Sequence, residues 1–272
     1  MTTASTSTFL LQNKHAVIFG AGGAIGQAVA KEFAAQGATV FLSGRRLATV
    51  EQVAARVQKD GGIAYAAEVD ALDERAVQTY LDGVAQQAGS IDILVNLTGP
   101  QPKDYGNGSN TLELPLEQFL LPLSTLVPSQ FITARAAARH MVRQHSGVIL
   151  FVTAGLQMTK TPNVTAISAA FGAMEALVRC LATDLGPAGV RVVGIRSGPM
   201  VETRTIQQGI ERVVNTMGVT PAQVVAQFEQ ATLLRRLSTA ADTARVAAFL
   251  ASDGARTMTG ALVNASSGRI ID

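Results

Sequence analysis

Short apolar runs recur along this chain at residues 16–20, 39–43, 63–69, 92–96, 147–153, 190–195 and 261–265. Stretches with helical spacing of apolar residues, such as 25–36 and 47–59, lie between them. Runs that are apolar at nearly every position belong to strands covered on both faces. That is the situation of a parallel sheet sandwiched by helices, because each parallel crossover places a helix on a face. The pattern predicts an α/β fold, a doubly wound seven-stranded parallel sheet of the Rossmann type. No Pro/Gly/Ser-rich linker divides the chain, so 14–272 reads as one domain after a Ser/Thr-rich arm at 1–13 expected to fray. The least patterned stretches are 100–122 and 202–234. In such a fold they follow the carboxyl ends of strands, where ligands bind, and 202–234 carries enough helical character to form a lid over a substrate.

Composition narrows the function. Of 272 residues, 47% are hydrophobic and 15% charged, which excludes a disordered chain. A net charge of +2 without a basic run gives no footprint for nucleic acid. The single cysteine, Cys180, allows no internal disulfide, fits a reducing cytosol and is expected to be a small buried residue. His15, His140 and His145 have no ligand spacing and read as partly exposed helix or loop residues, so no metal site is expected. The amino terminus lacks the basic start and apolar core of a secretory signal. The longest apolar stretch, 164–178, is interrupted by Glu175 and falls short of the roughly 20 residues of a bilayer span. The expectation is a cytoplasmic protein with no membrane partner.

The first run leads into Gly20-Ala21-Gly22-Gly23-Ala24-Ile25-Gly26 and then a helix. Small residues there let the backbone turn tightly and approach a pyrophosphate, which the N–H groups opening the helix stabilise. The second run ends at Ser43-Gly44-Arg45-Arg46. A carboxylate at this point holds the ribose 2′-hydroxyl of NAD, whereas arginine accommodates a 2′-phosphate; Arg45 and Arg46 therefore favour NADP(H) over NAD(H). Asp70, with Ala71 beside it, and Asn96 fall at the same edge, Asp70 as an adenine contact and Asn96 ordering the strand ends. As a turn residue and a strand terminator, each also has an ordinary explanation.

In order and spacing these features, with the carboxyl-terminal ARVAAFLASDGARTMTGALVNASSG, resemble the short-chain dehydrogenase/reductase family over about residues 14–268. Of that family's TGxxxGxG loop, Gly20 and Gly26 are kept, while Phe19 and Ala24 replace the Thr and the middle Gly. Its NNAG becomes Asn96-Leu97-Thr98-Gly99 and its PG becomes Ser197-Gly198. The resemblance implies a nicotinamide cofactor touching Gly22, Gly23, Ile25, Gly99, Gly198 and the backbone near Met200. Glu202 and Thr203 fall where members often carry a nicotinamide-contacting Thr. It also implies a small-molecule substrate and a homo-oligomer, tetramer or dimer. Members reduce a carbonyl with a Tyr whose acidity a Lys four residues on enhances, a polarising Ser, and an Asn that holds a relay water. The matching positions are Ile167, Phe171, Ala154 and Leu126 or a neighbour.

An apolar pair four residues apart on a helix shapes a pocket but does not titrate. General acid catalysis is worth about 10²–10⁴-fold, so ordinary ketone reduction is expected to be nearly absent. Thr98, Thr153, Gln157, Thr159, Lys160, Asn163, Thr165 and Ser168 cluster in sequence near the same strand ends, and Thr153, Thr98 and Lys160 are the weak substitutes for the missing donors. Three functions stay open. One is an oxidoreductase transferring hydride from NADPH to a small, mostly apolar substrate, with an activated C=C or C=N bond suiting it better than a plain ketone. Another is an inactive relative acting as a nucleotide-responsive binding or assembly protein. The third is a non-redox lyase or isomerase.

Overall fold

Strands form at each of the predicted runs: β1 (His15–Phe19), β2 (Thr39–Gly44), β3 (Ile63–Glu68), β4 (Ile93–Asn96), β5 (Gly147–Thr153), β6 (Val190–Ser197) and β7 (Leu262–Ala265). The computed structural model describes residues 9–271. All strands are parallel, in the order β3-β2-β1-β4-β5-β6-β7. Successive residues face opposite layers. Ala16 and Ile18 of β1 enter one core, with helices α1 (Ala24–Ala35), α2 (Leu47–Lys59) and, near the end of the chain, α8 (Ala240–Ala251). Val17 and Phe19 enter the other, with α3 (Glu74–Ala88), α4 (Leu116–Gln144) and α5 (Thr165–Leu185). Helices on both faces explain why the central strands read as unbroken apolar runs. At the sheet edge β3 alternates instead, leaving Ile63 and Tyr65 exposed.

Chain order reverses beside β1, which pairs with β2 on one side and β4 on the other. Such a switch point opens a crevice at the carboxyl ends of the two diverging strands. Three connections and the carboxyl-terminal tail surround that edge: 97–115 after β4, 154–164 after β5, and 198–239 after β6. The last contains α6 (Arg204–Met217) and α7 (Pro221–Gln230), helices with almost no buried side chains. Arg204 reaches Gln101 Oε1 at 3.1 Å and Arg212 reaches Asn107 O, so α6 is tied to the loop after β4.

Several expectations need correction. Leu11 is fully buried and its N–H donates to Gln36 O, so the frayed arm ends before residue 13; residues 1–8 lie outside the described residues. The stretch 100–122 is not irregular throughout, because α4 begins at Leu116 and continues through Pro122 and Pro128. By length and composition, the segment Thr165–Ala188 is long and apolar enough to cross a bilayer, longer than 164–178 suggested. It continues because Glu175 is buried against β6 rather than ending the apolar run. Cys180 is exposed, since the inward face of α5 is taken by Ala170, Met174 and Val178 and position 180 falls on the other side. His140 is buried, with Nε2 2.8 Å from Asp82 Oδ1, and His15 lies on β1.

Candidate dinucleotide and substrate site

The glycine turn sits at the switch point. Gly20 adopts φ +73, and its N–H and that of Ala21 donate to Ser43 O, joining the turn to the end of β2. A Cβ at Gly20 would lie 2.7 Å from Leu97 C, so the ends of β1 and β4 meet with no room for a side chain. A Cβ at Gly26, in the first turn of α1, would collide with Gly20 O. Gly22 lies under Thr49, and Ile25 packs on the first core. Gly23 caps α1 without a side-chain hydrogen bond, and no acidic residue occupies the first turn, so the N–H groups there are left to an anion. Arg45 and Arg46 are exposed between β2 and α2 and have no partner among the described residues. These features fit a dinucleotide: a cradle that a Cβ would fill, an uncapped helix start and two unpaired guanidiniums.

The remaining predicted contacts divide into those open to a ligand and those already engaged. Asp70 is exposed, and its Oδ1 accepts from Leu72 N at 3.0 Å in an ordinary turn, with Ala71 buried beside it. Asn96 is buried, donating to Ser129 O at 3.0 Å and Thr133 Oγ1 at 3.1 Å while its Oδ1 accepts from Thr98 N and Oγ1. It pins the end of β4 to the middle of α4. Gly99 is exposed with Leu126 Cδ2 behind it, and Gly198 lies against Ser266 and Ser238. The Met200 side chain turns toward Thr243 of α8 and its carbonyl accepts from Thr203. Glu202 accepts from Ala240 N, and Thr203 caps α6.

The face of α5 that looks toward this edge is apolar. Ile167 is buried and Phe171 half-buried, both in one cluster with Leu126 and Leu156, and Ala154 is half-buried at the end of β5. The three substitute donors do not gather there with free hydrogens. The Thr98 hydroxyl donates to Asn96 Oδ1 at 2.7 Å, and Lys160 is exposed and without a partner among the described residues. The Thr153 hydroxyl donates to Glu175 Oε1 at 3.3 Å. Glu175 in turn accepts from Arg196 Nε and Nη2, each at 2.8 Å, in a bidentate pair buried between α5 and β6. Ser197 Oγ donates to Thr153 O, completing the clamp on the ends of β5 and β6.

Sequence reasoning passed over Arg196, although a charge near the end of a largely apolar strand and Glu175 within an apolar stretch of helix are what such a pair looks like in sequence. It also passed over Tyr105, buried in the loop after β4 with its hydroxyl pushed up to about 12 by burial, against the opposing influence of Arg212. A phenol so raised is a weaker acid than a free one, the reverse of what a lysine neighbour does.

A seven-stranded parallel sheet with a glycine cradle at its switch point defines a dinucleotide-binding protein of the doubly wound class. Comparison with known proteins narrows it. A family model described as Enoyl-(Acyl carrier protein) reductase matches residues 20–269. The 7alpha-hydroxysteroid dehydrogenase of Escherichia coli (strain K12) is 31% identical over 260 residues, spanning 96% of this chain and 95% of the relative. A versicolorin reductase of Emericella nidulans is 26% identical over 265 residues, spanning 97% and 98%. Among solved structures, NAD+-bound xylitol dehydrogenase superposes with a TM-score of 0.87 at 28% identity, covering 95% of this chain and 99% of that one. The chain belongs to the short-chain dehydrogenase/reductase family, whose members are nicotinamide-dependent oxidoreductases.

Two open clefts, of about 460 and 340 Å³, lie at the opposite edge of the sheet, one beside Lys31 and Gly61, the other beside Lys14 and Gly189. Neither is lined by residues of the glycine turn or by Ile167 and Phe171 of α5.

Proposed function

We propose that this chain is an NADP(H)-dependent reductase that adds hydride to a conjugated C=C or C=N bond of a small, mostly apolar molecule, without the family's Tyr/Lys acid. The observation that carries this reading is the pair Ile167 and Phe171, packed among Leu126 and Leu156 where relatives are expected to place ionisable groups. When bound, the reduced nicotinamide supplies the hydride. The residues that would hold it are Gly20, Gly22, Gly23, Ile25 and Gly26 at the pyrophosphate, Arg45 and Arg46 at the 2′-phosphate, Asp70 and Ala71 at the adenine, and the backbone near Asn96, Gly99, Gly198 and Met200. The apolar wall orients the acceptor. Reduction of a conjugated C=C bond leaves a delocalised anion that takes its proton from solvent at carbon, and reduction of a protonated C=N bond leaves a neutral amine, so no resident acid needs to protonate a localised alkoxide. The matching family model is named for an enoyl reductase, which supports a C=C acceptor here.

Helices α6 and α7 act as the lid in this reading, held by the Arg204 and Arg212 contacts to the loop after β4. The chain is also taken to work as a cytoplasmic homo-oligomer. Exposed Leu116, Leu120 and Phe131 on α4 are the surface favoured for contact with a second copy. Gel filtration with light scattering tests that part, and a monomer at micromolar concentration overturns it. The catalytic reading is tested by titrating NADPH fluorescence and then following its oxidation with enones, imines and saturated ketones. Tight NADPH binding with turnover of conjugated acceptors alone is expected. Binding without any turnover would point instead to a nucleotide-responsive binding protein, and absence of binding defeats the cofactor assignment.

A further inference from the structure

The carboxamide of Gln157 is buried at both Nε2 and Oε1, and neither atom has a hydrogen-bond partner among the described residues. More than nine in ten buried polar groups in folded proteins are paired, so an unpaired carboxamide calls for an explanation. Its neighbours at this edge are engaged: Asn96, Thr98, Thr133 and Thr153 each have partners. Gln157 lies on a one-turn 3-10 helix, Leu156–Met158, that follows β5 directly and packs on α5. The preceding residue, Leu156, packs into the apolar cluster that includes Ile167 and Leu126.

The backbone around it is held. Met158 N donates to Gly155 O, Thr159 N and Thr159 Oγ1 both donate to Leu156 O, and Gly155 turns at φ +60. Ile270 of the carboxyl-terminal tail backs Gly155 so closely that a Cβ there would collide with it. A rigid turn therefore carries an unspent donor and acceptor beside a wall that has neither. Pre-aimed donors of this kind are what stabilise negative charge as it develops on a substrate oxygen.

We infer that Gln157 contacts the substrate, its Nε2 donating to the carbonyl oxygen of an α,β-unsaturated carbonyl compound. This rests on the conjugate-reduction reading above. Hydride from NADPH forms the new C–H bond at the β-carbon, and the C=C electron pair moves to give an enolate whose oxygen gains charge facing Gln157. The enolate takes a proton from water at the α-carbon, and NADPH leaves as NADP+. The substrate thus gains one hydride, which carries both electrons, and one proton from water, with the carbonyl retained in the product.

Gln157→Met keeps the length and removes the donor. An apolar replacement of an unpaired group is neutral or stabilising for the free protein. The expected result is an unchanged or higher melting temperature with kcat lower by about 10²–10³-fold and KM changed much less. Gln157→Glu keeps the shape, removes the N–H donors and sets a carboxylate against the developing charge, so it should lose at least as much. The readout independent of turnover is the carbonyl stretch of bound cinnamaldehyde or cyclohexenone in difference Raman spectra. It should move to lower frequency in the parent and not in Gln157→Met. A variant that keeps rate and carbonyl frequency, or that melts well below the parent, overturns the assignment. A parent that shifts the carbonyl band yet oxidises no NADPH leaves Gln157 in place and defeats the conjugate-reduction reading instead.

Discussion

Glu175→Leu leaves the guanidinium of Arg196 buried without its carboxylate. The two side chains are only 5% and 9% exposed, and the two charge-assisted hydrogen bonds between them are both 2.8 Å. The third bond on Glu175, from the Thr153 hydroxyl, disappears with it. Removing one partner of a buried, well-aligned ion pair costs about 3–5 kcal/mol. For a chain of this size each kcal/mol moves the melting temperature by about 2–4 °C, so a fall of about 6–20 °C is expected. The combined Glu175→Leu, Arg196→Met variant removes both charges and keeps comparable volume. It should return to within about 1 kcal/mol of the parent, or exceed it. Urea unfolding followed by circular dichroism measures all three proteins, and the slope should be unchanged while the midpoint moves. If Glu175→Leu costs less than 1 kcal/mol, or if the double variant is no better than the single one, the pair does not bear the charge burial described here.

Gly26→Val drives a side chain into Gly20 O and the Ala21 backbone, which have no room to yield; NADPH affinity measured by fluorescence should fall at least tenfold, with a loss of about 1–3 kcal/mol in stability. Replacing Arg45 and Arg46 with Ser should weaken NADPH binding by about 10- to 150-fold and leave NADH within a few-fold, as expected for charge-assisted bonds to a phosphate worth about 1.5–3 kcal/mol. Equal losses for both cofactors would refute a 2′-phosphate contact. In alkali, Tyr105 and Tyr80 both resist ionisation because they are buried, Tyr105 being raised from 10.0 to about 12. The unfolded chain releases those protons first, so stability is complete below pH 10 and declines as the pH rises toward 12. Tyr105→Phe should flatten that decline by up to about 2–3 kcal/mol in melts taken between pH 9 and pH 12.

The central strands and the helix at 47–59 were legible because their apolar periods are local and uninterrupted. The glycine turn was legible for a related reason: its meaning lies in being flanked by a strand and a helix, both visible in sequence. What was hidden depends on distant partners. Thr153 and Thr98 looked like free hydroxyls, and only the packing of α5 and the end of β4 shows their hydrogens committed to Glu175, 22 residues away, and to Asn96. Gln157 was one polar residue among eight in sequence, and its distinction is a buried carboxamide without a partner among the described residues, which no local pattern encodes. The start of α4 was obscured by Pro115, Pro122 and Pro128, residues that ordinarily mark a loop yet here cap or pass within one helix. Leu11 seemed part of a polar arm because its burial comes from Phe33 and the other side chains of the first core, not from its neighbours in the chain.

The central claim is that the apolar pair on α5 has removed the proton donor while the cofactor cradle remains. The most direct measurement compares NADPH oxidation by cyclohexenone and by cyclohexanone, which share a ring and differ in conjugation, in the parent and in the Ile167→Tyr, Phe171→Lys variant. The account predicts turnover of the enone and almost none of the saturated ketone by the parent, with ketone reduction rising at least tenfold in the variant. Comparable rates on both acceptors by the unaltered protein would contradict it.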